Sequence, residues 1–183
     1  METTVSPRPA STATATAEVQ QRFAGLLQQH RGIVLKVARG YCADPQDRAD
    51  LVQDISAQAW RAFAGFDPAR AQFSTWLYRI ALNVAISQLR SQRLRERHRA
   101  PLEAAGERAA PAQDHDDLHR LHALIGRLPP LDRALMLLVL DDCSHRQIGE
   151  VLGMSPGNVA TRLHRLRQQI RRQLDAPAPP RTP

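Results

Sequence analysis

Apolar positions recur at three- and four-residue spacing through most of this chain and nowhere at the alternate-residue spacing of a half-buried strand, so the pattern predicts an all-α protein. Two blocks carry the pattern. In the first, Phe23, Leu26, Leu27, Val34 and Val37 mark a helix from Glu18 to Val37 or a little beyond, and Asp44-Pro45 then favours a turn. Leu51, Val52, Ile55, Ala59 and Phe63 form the apolar side of a second helix from Arg48 to Ala64. Phe66-Asp67-Pro68 interrupts it, and a third helix is expected to start near Ser74 or Thr75, either of which can cap it. Its inward stripe is expected to be Leu77, Ile80, Ala81 and Val84.

In the second block a helix from Leu118 to Leu128 stops at Pro129-Pro130, and another from Asp132 to Asp141 contains the run ALMLLVL, as a buried helix of a small bundle should. Ser144 followed by Gln147 is a capping-box pattern, Ile148, Val151 and Leu152 face inward, and Gly153 suits a left-handed C-terminal turn. Ser155 caps the next helix with Pro156 in its first position, where a missing N–H does no harm. These junctions spell a helix-turn-helix. Val159, Leu163, Leu166 and Ile170 form the buried stripe of its second helix, while Asn158, Thr161, Arg162, Arg165, Gln169 and Arg172 line another face.

The two blocks divide the 183 residues into domains at 18–96 and 118–175. Residues 97–117 are rich in Ala, Pro and charge and read as a flexible linker; residues 1–17 and 176–183 read as disordered tails. Net charge is +7, and Lys36 is the only lysine among 25 basic residues. A polyanionic partner is implied. No run approaches the roughly 18 apolar residues of a membrane span, no secretory signal is legible at the N-terminus, and a cytoplasmic protein without membrane insertion is expected. Cys42 and Cys143 show no CxxC spacing and read as ordinary thiols, and His115, His119 and His122 read as a solvated face, so no metal or other cofactor is expected. No carboxylate cluster, activated nucleophile or phosphate loop supports an enzyme acting on nucleic acid.

Six of the eight aromatic residues fall between Trp60 and Tyr78, just ahead of a row of arginines. Aromatic faces beside guanidinium groups suit unpaired bases and their phosphates. Phe63 and Trp60 are assigned to the core; Trp76 adjoins the polar face formed by Arg79, Asn83 and Arg90, which Arg93 extends. The polar face of the helix-turn-helix suits duplex DNA instead, since arginine pairs with guanine and asparagine with adenine in the major groove. Asp50, Gln53 and Asp54 share an acidic face that reads either as solvated surface or as a docking site for a basic helix.

Taken in order, these parts resemble the bacterial RNA polymerase sigma factors of the small extracytoplasmic-function (ECF) type. DLVQDISAQAW at 50–60 is similar to the core-binding part of region 2, FSTWLYRIALN at 73–83 to the part that opens and reads the minus-10 element, and residues 128–174 to region 4, which reads the minus-35 element. The resemblance implies two helical domains and a promoter-specificity subunit without catalysis of its own. It implies core RNA polymerase as partner, with Asp50, Gln53 and Asp54 on the clamp helices of the largest subunit and a further contact at the flap region. Promoter DNA would meet Phe73, Trp76, Arg79, Asn83, Arg90 and Arg93 at minus-10, where the loop from Phe66 to Phe73 together with Asn83 holds a flipped base. At minus-35 it would meet Asn158, Thr161, Arg162, Arg165, Gln169 and Arg172. Such factors are usually held inactive by an anti-sigma factor; no residue here identifies one. Two positions depart from the family pattern: Ser87 stands where many relatives carry Asp, and Ala160 replaces the lysine of the frequent TVKSR. The alternative reading is a helix-turn-helix regulator that acts without being a polymerase subunit, which leaves Asp50 to Arg97 unexplained.

Overall fold

The computed structural model describes residues 11–99 and 125–175. Most of the expected linker, the three clustered histidines, residues 1–10 and residues 176–183 lie outside it. All regular structure among the described residues is helical: α1 (Ser11–Gln29), α2 (Arg31–Tyr41), α3 (Pro45–Ala62), a 3-10 turn at Phe63–Gly65, α4 (Phe73–Arg99), α5 (Pro130–Val139), α6 (His145–Leu152) and α7 (Pro156–Asp175).

Several boundaries differ from the periodicity, each for a local reason. The expected N-terminal tail is helical from Ser11, where Ala13, Ala15 and Ala17 supply the residue of highest helix propensity. The single helix expected over 18–37 is broken at His30, whose backbone (φ −105°, ψ 16°) leaves the helical region. Phe23 and Ile33 would lie about 80° apart around one straight helix; the break turns both into the core, where they are 7% and 8% exposed. The turn read at Asp44-Pro45 is itself the start of α3: the Asp44 carboxylate accepts from the N–H groups of Gln46 (2.7 Å) and Asp47 (3.2 Å), and Pro45 occupies the first turn. In α4 the backbone is already helical at Phe73, with the Trp76 N–H bonded to the Gln72 carbonyl at 3.1 Å, so Ser74 and Thr75 sit inside the first turn rather than capping it. At its far end α4 runs to Arg99, into the segment expected as linker, because no glycine or proline intervenes before Pro101.

The first half packs α4 against α2 and α3. Leu51, Ile55, Leu77 and Leu82 are fully enclosed, each contributing about 1.5–3 kcal/mol by leaving water. The buried arc of α4 is rotated from the expected stripe: Leu77 and Ala81 are inside as expected, but Tyr78, Leu82 and Ala85 complete it, and Ile80 and Val84 lie at its margin. The reason is tertiary, since α2, α3 and α6 all lean on α4.

In the second half α5 buries a continuous run from Arg133 to Leu138, onto which α6 sets Ile148 and Val151 and α7 sets Val159, Leu163, Leu166 and Ile170. The α6–α7 turn is built as the spacing predicts. Ser144 and Gln147 form the reciprocal capping box, and Gly153 takes the left-handed conformation (φ 69°) that glycine adopts without steric cost. Gly149 lets the turn close, because a Cβ there would stand 2.5 Å from the Met154 carbonyl oxygen. The Asn158 N–H donates to Ser155 Oγ at 3.3 Å, completing the α7 cap.

The halves meet along a seam of α2 and α4 with α5 and α6. The Asp141 carboxylate accepts from both Lys36 Nζ and Tyr78 Oη, and Tyr41 Oη donates to the Pro130 carbonyl at 2.7 Å. Burial raises the pKa of both phenols, with Arg133 pulling Tyr41 partly back and Cys143 adding to the rise at Tyr78, so both remain donors. Arg133, 5% exposed, lies 5.1 Å from the centre of the Tyr41 ring and donates to the carbonyls of Gly126, Leu128 and Gly40.

Candidate nucleic-acid interface

The phenylalanines and tryptophans form one continuous network rather than a row of free faces. Phe63 contacts Phe23, Phe66, Phe73 and Trp76 with ring centres 5.0–6.4 Å apart, mostly edge to face as ring quadrupoles prefer. Phe73, expected at the DNA surface, is 7% exposed and packs on Phe66 at 5.4 Å and Trp76 at 5.2 Å; in this conformation it holds the cluster and presents no face to a base. Trp60, expected in the core, is instead 40% exposed, touching Phe23 at 5.2 Å from the end of α3. Both corrections have one cause: aromatic residues cluster in the core through neighbours on other helices, which spacing along one helix does not reveal. Trp76 is half-buried against the cluster, with part of its surface exposed as expected.

Along α4, Asn83, Arg90 and Arg93 are exposed, and from Trp76 to Arg93 this face runs about 25 Å at the α-helical rise. Arg79 is exposed too, but its guanidinium donates to the Glu150 carbonyl at the end of α6, so the second half occupies it. On α3, Asp50, Gln53 and Asp54 are all exposed, as the periodicity predicts. Asp54 is drawn toward α4 by a hydrogen bond from Gln88, and a groove of about 660 Å³ between the two helices is lined by Asp54, Arg61, Asn83, Ser87 and Arg95. Residues expected to serve a protein partner and residues expected to serve DNA therefore share one groove, a juxtaposition that single-helix spacing could not reveal.

On α7, Asn158, Thr161, Arg165, Gln169 and Arg172 are exposed on one side, about 21 Å from first to last by helical rise. Thr161 Oγ1 turns back to the Gly157 carbonyl at 3.0 Å. Arg162 differs from the rest: it is half-buried, and its Nε donates to Asp132 Oδ1 of α5 at 2.5 Å. Sequence reasoning missed Asp132, Arg133 and the Lys36–Asp141 pair, because their partners lie on other helices and leave no local signal. Cys42 and Cys143 are free and half-buried, and burial pushes both thiols upward, with Asp47 adding to the rise at Cys42, while Lys36 partly offsets it at Cys143.

With these surfaces in view, the chain can be set beside known proteins. Residues 26–95 match the family model for Sigma-70 region 2, and residues 118–170 match that for Sigma-70, region 4. The RNA polymerase sigma factor CnrH of Cupriavidus metallidurans is 30% identical over 177 residues, spanning 90% of this chain and 92% of that protein. The ECF RNA polymerase sigma factor RpoE of Cereibacter sphaeroides is 31% identical over 164 residues, 85% of this chain and 86% of that protein. The chain belongs to the ECF sigma factors of RNA polymerase. A further relative, the ECF RNA polymerase sigma factor SigE of Mycolicibacterium smegmatis, is 32% identical over 80% of this sigma factor, which spans 59% of that longer protein. Among solved structures, CnrH in complex with the cytosolic domain of CnrY is similar with a TM-score of 0.65 and 27% identity, over 91% of this chain and 96% of that one. The sigma factor RpoE of Bartonella quintana, solved with the anti-sigma factor NepR, shares the fold at a TM-score of 0.62 and 21% identity, over 88% of this chain and 99% of that one. In this sigma factor the region 2 match runs from α1 to α4 and the region 4 match includes α5, α6 and most of α7. A regulator built on the helix-turn-helix alone is not favoured, because it leaves the region 2 match without a role. No described helix is long and apolar enough to cross a membrane.

Proposed function

We propose that this sigma factor acts in the cytoplasm as a non-catalytic subunit that gives core RNA polymerase its promoter address. The acidic face of Asp50, Gln53 and Asp54 docks on the clamp helices of the largest subunit, and the second half rests at the flap region. Trp76, Asn83, Arg90 and Arg93 engage the minus-10 element as it opens, and Arg79 joins them on leaving the Glu150 carbonyl that holds it in this conformation. Phe73 supports Trp76 from beneath, its own ring being buried. Helix α7 enters the major groove at minus-35, where Asn158, Thr161, Arg162 and Arg165 face the bases and Gln169 and Arg172 meet phosphates. Each half alone binds weakly, and the polymerase makes the two contacts count together.

The observation that carries this reading is the succession of a region 2 match and a region 4 match, the second containing a helix-turn-helix whose caps are formed on both sides of the turn. Because the Bartonella sigma factor was solved with an anti-sigma factor, a protein of that class is the proposed regulator here. Run-off transcription with purified core polymerase tests the function: adding this protein should produce initiation at specific promoters from a genomic panel. No promoter-specific product and no complex with core would defeat the reading.

A further inference from the structure

Among the described residues that line the groove beside α7, Asp132 is the only acidic one, and it stands with Asn158, Thr161, Arg162, Arg165 and Gln169. An acid at this place repels phosphate and is unfavourable on a DNA-facing surface unless it is held for another purpose. Its side chain is 17% exposed and its Oδ1 receives Nε of Arg162 at 2.5 Å, across from a different helix. Arginine presents five N–H donors in a rigid planar fork. With Nε committed to Asp132, the paired Nη groups remain as the donor edge, the edge that forms two parallel hydrogen bonds with guanine. The carboxylate also cancels the charge of Arg162, which removes it from the cations that displace counterions on binding phosphate. Among the described residues Arg165 and Arg172 make no such pair.

We propose that Asp132 is a positioning residue that converts Arg162 from a phosphate contact into a base-reading side chain, and thereby sets how strictly this sigma factor discriminates its upstream promoter element. The proposal rests on α7 being the minus-35 reader.

The test is selection of promoter fragments randomised across the upstream element by polymerase holoenzyme carrying the wild-type factor, Asp132→Asn, Arg162→Ala or Arg162→Lys, with salt dependence measured alongside. Asp132→Asn should lose about tenfold of the preference at the base position that Arg162→Ala also loses, while its log–log salt slope steepens by about one. Arg162→Lys keeps the charge and lacks the fork, so it should lose the same preference. This arm keeps the test informative if Asp132→Asn unfolds. A merely structural tie between α5 and α7 would lower the melting temperature of Asp132→Asn and leave its base preference equal to wild type, and that result overturns the proposal, as does an Arg162→Lys variant with unchanged preference. If wild-type holoenzyme selects no upstream element, the reading of α7 falls and the proposal with it; if it selects one and Asp132→Asn selects the same one equally well, only the role of Asp132 is lost.

Discussion

The two halves of this sigma factor reach a buried core by different routes. In residues 125–175, the stripe Val159, Leu163, Leu166 and Ile170 repeats along its own helix, and the junctions at both ends of α6 are satisfied by residues within a few positions of them. In residues 11–99, burial is decided between helices: Phe63 draws partners from α1 and α4 and from the loop between, and α4 is covered on more than one side. Spacing therefore reveals a functional surface only where burial is local. A face left over from a local stripe can be trusted, whereas a face left over from a tertiary cluster has to be seen.

The largest effect is expected from Gly149→Ala, which sets a methyl group against the Met154 carbonyl oxygen. A loss of about 2 kcal/mol or more is expected. Trp60 and Trp76 both lie in the first half, so tryptophan fluorescence reports that half while far-ultraviolet circular dichroism reports both. In urea the variant should show an early loss of ellipticity with the fluorescence transition close to wild type. Coincident shifts would mean that the seam makes one cooperative unit of the two halves.

Next in size is reversal of the acidic face. Asp50→Arg with Asp54→Arg should weaken binding to core polymerase by about tenfold or more, as loss of charge complementarity at a docking face does, with the unfolding midpoint little changed because both residues are exposed. Unchanged affinity by fluorescence anisotropy would remove them from the interface.

A comparable but more selective effect is expected on α7. Arg162→Ala should reduce discrimination between native and scrambled upstream elements by about tenfold. Arg172→Ala should weaken binding to both alike and lower the salt slope by about one. Equal loss of discrimination in both variants would erase the distinction between base-reading and phosphate-contacting positions. The smallest effect belongs to the cap: Ser144→Ala should cost about 1 kcal/mol, read by the same denaturation experiment.

The fold class and the helix-turn-helix were legible because helical period, caps and turn glycines act within a few residues. The polar face of α7 followed directly from its buried stripe. The first half was less legible for a physical reason: the His30 break, the rotated arc of α4, the burial of Phe73 and the exposure of Trp60 all depend on which helix lies opposite. Arg162 shows both sides of the matter. Its place on the DNA-facing side was readable from the helical period, but its partner Asp132, thirty residues earlier, was not.

Lys36 is the only lysine of the chain, and its ammonium is committed to Asp141 where the halves meet. An amine-acylating reagent therefore has a single side chain to attack, and Asp141 of the second half stands against its ammonium while the seam is closed. The acylation rate at this one position is a built-in clock for separation of the halves, readable by peptide mass without any engineered label.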